Sequence, residues 1–488
     1  MTRIVLTLAA CLMWLAMQSQ EVPKGTIVSF EHNHSNIYPG TERTVKVYVP
    51  QQYAGTKPAC LLVCMDGILY DAAAKIDTLI SRGDMPVTIG VFVEPGVVRD
   101  AAGEVVRYNR CREFDTVDGT WASFLEKEIL PQVEGRRLDD GRVVHISGDA
   151  NDRAITGASS GGICAFTAAW MRPDMFSRVY SAVGTFVAMR GGNELPAIVR
   201  KTHPKPLRIF LQDGEKDAWN ALFGSWWEYN RLMMSALQFA GYEVDAAWDR
   251  GGHSIRYGTL AFNRAMKYLW NEWPKPVKAG KSGNDMLAAI VDPDEPWTYV
   301  ADYSAHRDTL FLEPSLVMTH RKGMISNGHY FAVSPDHRTA VQSEPTGHWL
   351  VQYVVKGKEL TCGERFYWLH SHQGGDVQEN GPMAFDTRGN LYVATAIGVQ
   401  VCDHNGRVRA IFSLPGGAVT GLSFVGNRLY VVCGGKIYCR KMKSTGYSRS
   451  QGAIAVRSQG QGGEAGYCLG FGLPKRLKRP ASMVPEIE

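Results

Sequence analysis

The sequence predicts a three-layer α/β fold on a mostly parallel sheet, followed by a smaller all-β segment. Three observations carry this. Strand-like apolar runs alternate with helical periodicity as far as Trp273, the pattern of a parallel sheet covered on both faces. Within that alternation, Gly157-Ala158-Ser159-Ser160-Gly161 stands between a run ending in Arg153-Ala154-Ile155-Thr156 and a helical run from Gly162 to Trp170. After Trp273 the helical period fades, and short strands bounded by turn residues take over.

Taken in order, Thr44 to Val49 alternates Val45, Val47 and Val49 inward and is stopped by Pro50. Ala59 to Met65 and Val87 to Val93 are continuous apolar runs, as central strands buried on both faces should be. Trp121 to Leu130 has helical spacing. Val143 to Ser147 and Ala154 to Thr156 read as strands leading into the Gly-rich turn. Beyond it, Arg178 to Val183 and Leu207 to Leu211 are strands. Trp226 to Ala240 is a helix with Tyr229, Leu232, Met233, Ala236, Leu237 and Ala240 on one face and Gly241 as its C-cap. Val244 to Trp248 and the helix Leu260 to Trp270 complete the unit.

These signals divide the chain into a leader at 1–20, an α/β domain at 25–273, a linker at 274–296, an all-β segment at 297–445 and a weakly ordered Gly/Ser/Gln-rich tail at 446–488. In the all-β segment, strands are expected at Tyr330 to Val333, Met383 to Phe385, Leu391 to Thr395, Val399 to Cys402 and Arg428 to Val432. The spacing is that of propeller-like blades, with room for roughly three or four of about 40–45 residues.

The leader has the form of an export signal: Arg3, then an uncharged and mostly apolar run from Ile4 to Met17, with cleavage expected near Gln18 to Glu21. Leu8-Ala9-Ala10-Cys11 resembles a lipoprotein signal, but the run continues past Cys11, which favours periplasmic or secreted export. No stretch reaches the length of a membrane span. A net charge of +5 over 488 residues does not point to nucleic acid, and part of it sits in the tail at Lys475, Arg476, Lys478 and Arg479. The ten cysteines are scattered with no Cys-x-x-Cys, so no disulfide framework is expected. Oligomeric state is not legible.

Strand, Gly-x-Ser-x-Gly and helix form a nucleophile elbow, which lifts a serine Oγ above the carboxyl end of a sheet. A base and an acid should then follow on later strand ends. Leu207 to Leu211 opens into Gln212-Asp213-Gly214-Glu215-Lys216-Asp217, where three carboxylates are candidates. Trp248 opens into Asp249-Arg250-Gly251-Gly252-His253, whose imidazole is the candidate base. Ser160, the residue after the serine, should supply one oxyanion-hole N–H; the second should come from Gly67 or Ile68 in the loop after Met65. Glu113 and Asp115 are read as either shaping the substrate pocket or lying in a solvated acidic loop.

Tyr38-Pro39-Gly40-Thr41-Glu42-Arg43, Val47-Tyr48-Val49-Pro50, Met65-Asp66-Gly67, Arg110-Cys111-Arg112-Glu113-Phe114-Asp115, the elbow, Pro173-Asp174-Met175-Phe176, Leu211-Gln212-Asp213-Gly214 and Gly252-His253-Ser254 together resemble the esterase D / enterochelin-esterase-like family of α/β-hydrolases. The likeness covers roughly Tyr38 to Trp273. It implies a serine esterase with Ser159, His253 and, three residues after Gly214, Asp217 as the catalytic set. It implies no cofactor, and as substrates acetyl or feruloyl esters of polysaccharides or ester-linked siderophores.

The second half, through Ser326-Asn327-Gly328, Ser334-Pro335-Asp336, Asp386 with Gly389-Asn390-Leu391-Tyr392-Val393-Ala394, and Thr420 to Cys433, is similar to gluconolactonase/regucalcin-type propellers. That likeness implies, as the alternative function, a metal-dependent sugar lactonase or a carbohydrate-binding domain. Of the family's divalent-metal ligands only Asn327 has a match. Glu379-Asn380-Gly381-Pro382-Met383 lacks the expected Asp before Gly-Met, so the metal set is incomplete.

Overall fold

The computed structural model describes residues 22–305, 319–320, 323–324, 330–344, 347–371, 380–414, 417–448 and 451–454. The expected leader (with Cys11), Asn327, Glu379 and nearly all of the tail lie outside the described residues.

An eight-stranded sheet organises the first domain. Its strands are β1 (Thr26–His32), β2 (Arg43–Val49), β3 (Cys60–Met65), β4 (Thr88–Val93), β5 (Arg153–Ala158), β6 (Arg178–Ala182), β7 (Arg208–Lys216) and β8 (Glu243–Gly252), in the order β1-β2-β4-β3-β5-β6-β7-β8. β1 pairs with β2 and β2 with β4 antiparallel; every pairing from β4 to β8 is parallel. β3 and β4 are buried at every position, which is why they read as unbroken apolar runs.

Helices cover both faces. α1 (Ala72–Ser81) and α6 (Ile255–Trp270) pack on Leu62, Cys64, Phe92, Tyr180 and Phe210. The other face, with Leu61, Val63, Ile155, Ile209 and Leu211, holds α2, which runs through Thr120–Phe124, a π-turn at Leu125–Ile129 and Leu130–Val133. It also holds α3 (Ser160–Met171), α4 (Leu195–Lys201) and α5 (Trp226–Ala240). Ser225 caps α5 by accepting from the Glu228 N–H at 3.3 Å, and Gly241 ends it in the left-handed conformation. On α5, Leu232 faces solvent and the amide of Asn230 takes the inner position, bonded to the carbonyls of Gly184 and Trp226.

The expected strand at Val143 to Ser147 is not formed. Only isolated bridges, Arg137 to Val143 and Ala59 to Ile146, occur there. The 274–296 segment is not wholly extended either: α7 (Asp285–Ile290) lies within it, N-capped by Asn284, and buries Leu287 and Ile290 among the β-strands that follow. The second half is all-β. Its described strands form sheets of four, six and four strands, antiparallel except for one two-residue pairing of Thr319–His320 with Glu359 and Leu360. Thr298–Asp302 joins the sheet of Lys436–Lys441, Arg428–Cys433 and Val419–Val425. Strand Val408–Phe412 lies beside α4, where Thr202 bridges Ile411 and the Asn284 amide bonds the carbonyls of Arg200 and Arg409. None of the eight described cysteines forms a disulfide.

Candidate active site

Ser159 stands between β5 and α3 at φ 59°, ψ −121°, a backbone state that a serine adopts only when its surroundings enforce it. The turn is tight enough that a Cβ on Gly157 would lie 2.4 Å from the Gly161 carbonyl oxygen. The Ser159 N–H donates to the Ala182 carbonyl, tying the turn to the end of β6.

Three side chains meet there from three strand ends. Ser159 Oγ lies 2.9 Å from His253 Nε2, and His253 Nδ1 lies 2.6 Å from Asp217 Oδ1. An ionised carboxylate only accepts, so Nδ1 carries the proton and Nε2 presents its lone pair to the serine hydroxyl. Of the three candidate acids, Asp217 is the one that reaches the imidazole. β7 runs on to Lys216, and a turn in which the Asp217 N–H donates to the Gly214 carbonyl swings the carboxylate under His253. Glu215 points to solvent. Asp213 is fully buried on β7, and burial, together with its bond to Asp217, pushes its carboxyl up to about 10. Burial works against ionising Asp217 as well, but the hydrogen bond from His253, with the neighbouring Asp213 in support, holds it below the ordinary carboxylate value.

The loop after β3 lies against the elbow. Asp66 and Gly67 take φ of 62° and 76°, and a Cβ on Gly161 would lie 3.2 Å from Asp66 Oδ2. Arg110 clamps Asp66 with two bonds of 2.6 and 2.8 Å and also reaches the Ala158 carbonyl at 3.4 Å. The Gly67 N–H is engaged by the Val93 carbonyl at 3.4 Å, whereas those of Ile68 and Ser160 have no acceptor among the described residues. Of the two loop donors, Ile68 is therefore the better placed to serve an oxyanion.

Glu113 and Asp115 do not lie in a solvated loop: both are buried. Glu113 closes on Arg43 at 2.7 and 2.8 Å and accepts from Gly96 N and Asn109 Nδ2, so it anchors the helix Arg110–Phe114 that carries Arg110.

Sequence reasoning missed Thr185 and Trp226. Thr185 Oγ1 lies 3.2 Å from Ser159 Oγ and accepts from the Trp226 indole N–H at 3.1 Å, while the Trp226 ring meets His253 edge-on at 5.7 Å. Neither belongs to a motif; only the packing of α5 against the segment that follows β6 brings them in. Among the described residues no group of three or more His, Cys, Asp or Glu side chains is arranged to hold a metal ion, and no helix is long and apolar enough to cross a membrane.

Residues 35–265, just under half of the chain, match the family described as "Putative esterase". That stretch is an esterase-like α/β domain. No curated protein matches the chain. Among solved structures it is similar to a ferulic acid esterase at 18% identity and TM-score 0.38, covering 50% of this chain and 98% of that one. It is also similar to the enterobactin esterase of Shigella flexneri at 18% identity and TM-score 0.39, covering 51% of this chain and 62% of the other. A third likeness is to the feruloyl esterase module from Clostridium thermocellum, at 12% identity and TM-score 0.38, covering 52% of this chain and 90% of that one.

Proposed function

We propose that this chain is an exported serine esterase that hydrolyses carboxylic esters through an acyl-enzyme. The observation that carries the proposal is the unbroken hydrogen-bonded line Ser159–His253–Asp217 on an elbow whose helix begins with a free N–H. Ser159 Oγ attacks the ester carbonyl as His253 Nε2 takes its proton. The negative oxygen of the tetrahedral intermediate is received by the N–H groups of Ser160 and of the Gly67-Ile68 loop. Collapse expels the alcohol, which receives the proton from His253; water then repeats the sequence on the acyl-enzyme. Asp217 keeps the imidazole in the required tautomer throughout.

Two features favour a substrate with a broad apolar or aromatic group, such as a feruloyl ester. Trp219 and Leu222 lie 72% and 81% exposed on the hairpin between Asp217 and Trp226, two residues that both contact His253. Tyr108, 76% exposed, stands directly before the helix that bears Arg110. Export rests on Arg3 and the apolar run Ile4 to Met17. The C-terminal sheets we read as propeller-like blades accompanying the esterase domain, a reading supported by the pairing of the early strand Thr298–Asp302 with the last hairpin.

The test is turnover of 4-nitrophenyl acetate and methyl ferulate by the full chain and by Ser159→Ala. Turnover should fall to background in the variant; undiminished hydrolysis would sink the proposal. EDTA should leave the activity unchanged, and its loss on chelation would transfer the chemistry to a metal site.

A further inference from the structure

We propose that Thr185, held by Trp226, is a positioning residue that fixes the direction of the Ser159 proton. The inference rests on the esterase reading above and deepens it.

The indole Nε1–H of Trp226 can only donate, and its contact with Thr185 Oγ1 at 3.1 Å therefore occupies a lone pair of that hydroxyl. Thr185 has one proton of its own, and its oxygen also lies 3.2 Å from Ser159 Oγ. At the far end of the line Asp217 only accepts, so His253 Nδ1 donates to it and Nε2 accepts from Ser159 at 2.9 Å. Every proton then has a single arrangement: Trp226 to Thr185, Thr185 to Ser159, Ser159 to His253, His253 to Asp217. With a lone pair engaged by Thr185, the serine hydroxyl holds its proton toward the base. The same donor faces the oxygen as negative charge develops on it when the proton leaves, which favours the attacking state.

The frame that holds these atoms is rigid. Thr185 is 2% exposed, and its own N–H donates to the Ser159 carbonyl at 3.1 Å, so its backbone and side chain both address the nucleophile's residue. Trp226 is 8% exposed at the start of α5, and Asn230, one turn on, bonds the Gly184 carbonyl at 2.9 Å immediately before Thr185. Because the Trp226 ring also packs edge-on against His253, one side chain sets the position of both the nucleophile's neighbour and the base. That is a device for keeping the hydrogen-bonded line aligned before substrate arrives.

The experiment compares Thr185→Val, Thr185→Ser and Trp226→Phe with the native chain on 4-nitrophenyl acetate. It measures kcat, KM, the rate at which a fluorophosphonate labels Ser159, and thermal unfolding. Thr185→Val keeps the shape and loses the hydroxyl. Its kcat and labelling rate should fall about tenfold, the scale of one hydrogen bond to a reacting oxygen, with KM changed less than about twofold. Thr185→Ser should recover most of the loss, since it restores the hydroxyl. Trp226→Phe, which keeps the ring against His253, should lower kcat by several-fold. Unfolding within a few degrees of the native chain establishes that the variants are folded. Native kcat and labelling in Thr185→Val would overturn the inference, as would a Thr185→Ser variant as slow as Thr185→Val. Should Ser159→Ala itself retain ester turnover, the esterase reading fails and not merely the role of Thr185.

Discussion

Glu113 offers the sharpest test of how this domain is held together. Its carboxylate and the Arg43 guanidinium it meets are both fully removed from solvent. Beyond the two bonds to Arg43 it accepts from the Gly96 N–H and the Asn109 amide at 3.1 Å each, while Arg43 also donates to Thr41 and lies 4.4 Å over the Phe124 ring. Replacing Glu113 by Gln preserves the volume but leaves the guanidinium in an apolar site without a counter-charge. Removing one partner of such a pair costs about 3–5 kcal/mol, because the survivor can neither rehydrate nor give up its charge. For a unit of this size that is a fall in Tm of roughly 6–20 °C. The assay is thermal and urea unfolding of the full chain, read on the transition of the α/β domain, for Glu113→Gln and for the pair Arg43→Met with Glu113→Leu. The double variant should be more stable than the single one, since apolar residues of similar volume replace a buried pair at little cost. A loss below about 1 kcal/mol in Glu113→Gln would refute the reasoning, and a double variant weaker than the single would do the same.

The remaining predictions concern the elbow, the acid and the contact between the two halves. Gly157→Ala drives a Cβ to 2.4 Å from the Gly161 carbonyl and should cost roughly 1–3 kcal/mol and most of the reactive serine, checked by unfolding and fluorophosphonate titration. Asp217→Asn should lower kcat by on the order of 10⁴, because an amide donor favours the wrong imidazole tautomer; a loss under tenfold would count against Asp217 as the orienting acid. At the contact between halves, burial pushes His203 down to about 4 and holds His370 below its ordinary value. His203 stacks on Phe412, and His370 Nε2 takes a bond from Lys201 at 2.6 Å while its Nδ1 donates to Glu194. Groups whose folded values are depressed contribute fully above their unfolded value near 6.5 and lose stability as pH falls below it. For His203 the loss at pH 5 is about 2 kcal/mol. Urea unfolding at pH 7 and pH 5 should show it, and His203→Gln should remove part of the dependence; an identical slope in the variant would refute the assignment.

Much of the α/β domain was legible because its signals are local. β3 and β4 are buried on both faces and must be apolar throughout. α5 starts at a serine cap and ends at a glycine that adopts the left-handed state. Val143 to Ser147 failed as a strand because an apolar run does not say whether a neighbouring strand edge is available. α7 was hidden because a six-residue helix, stabilised by burying Leu287 and Ile290 against distant strands, carries too few turns to show a period. The solvated alternative for Glu113 failed for a related reason: a carboxylate in an acidic stretch looks solvated until the partner 70 residues away, Arg43, is known.

What the sequence determined by itself was the strained Gly-Ser-Gly turn and the order in which a serine, an acid-rich strand end and a Gly-Gly-His strand end follow one another. Turn chemistry and strand patterning are short-range properties, and they fix which residues lie at the carboxyl edge of the sheet. Which carboxylate meets the imidazole was settled by tertiary structure, through the length of β7 and the Gly214–Asp217 turn. The partners that surround the serine were settled in the same way. Asp213, Thr185 and Trp226 come from three elements, and no spacing rule connects them. Only the packing of α5 and the adjoining strands brings a buried acid, a hydroxyl and an indole N–H to one hydrogen-bonded line.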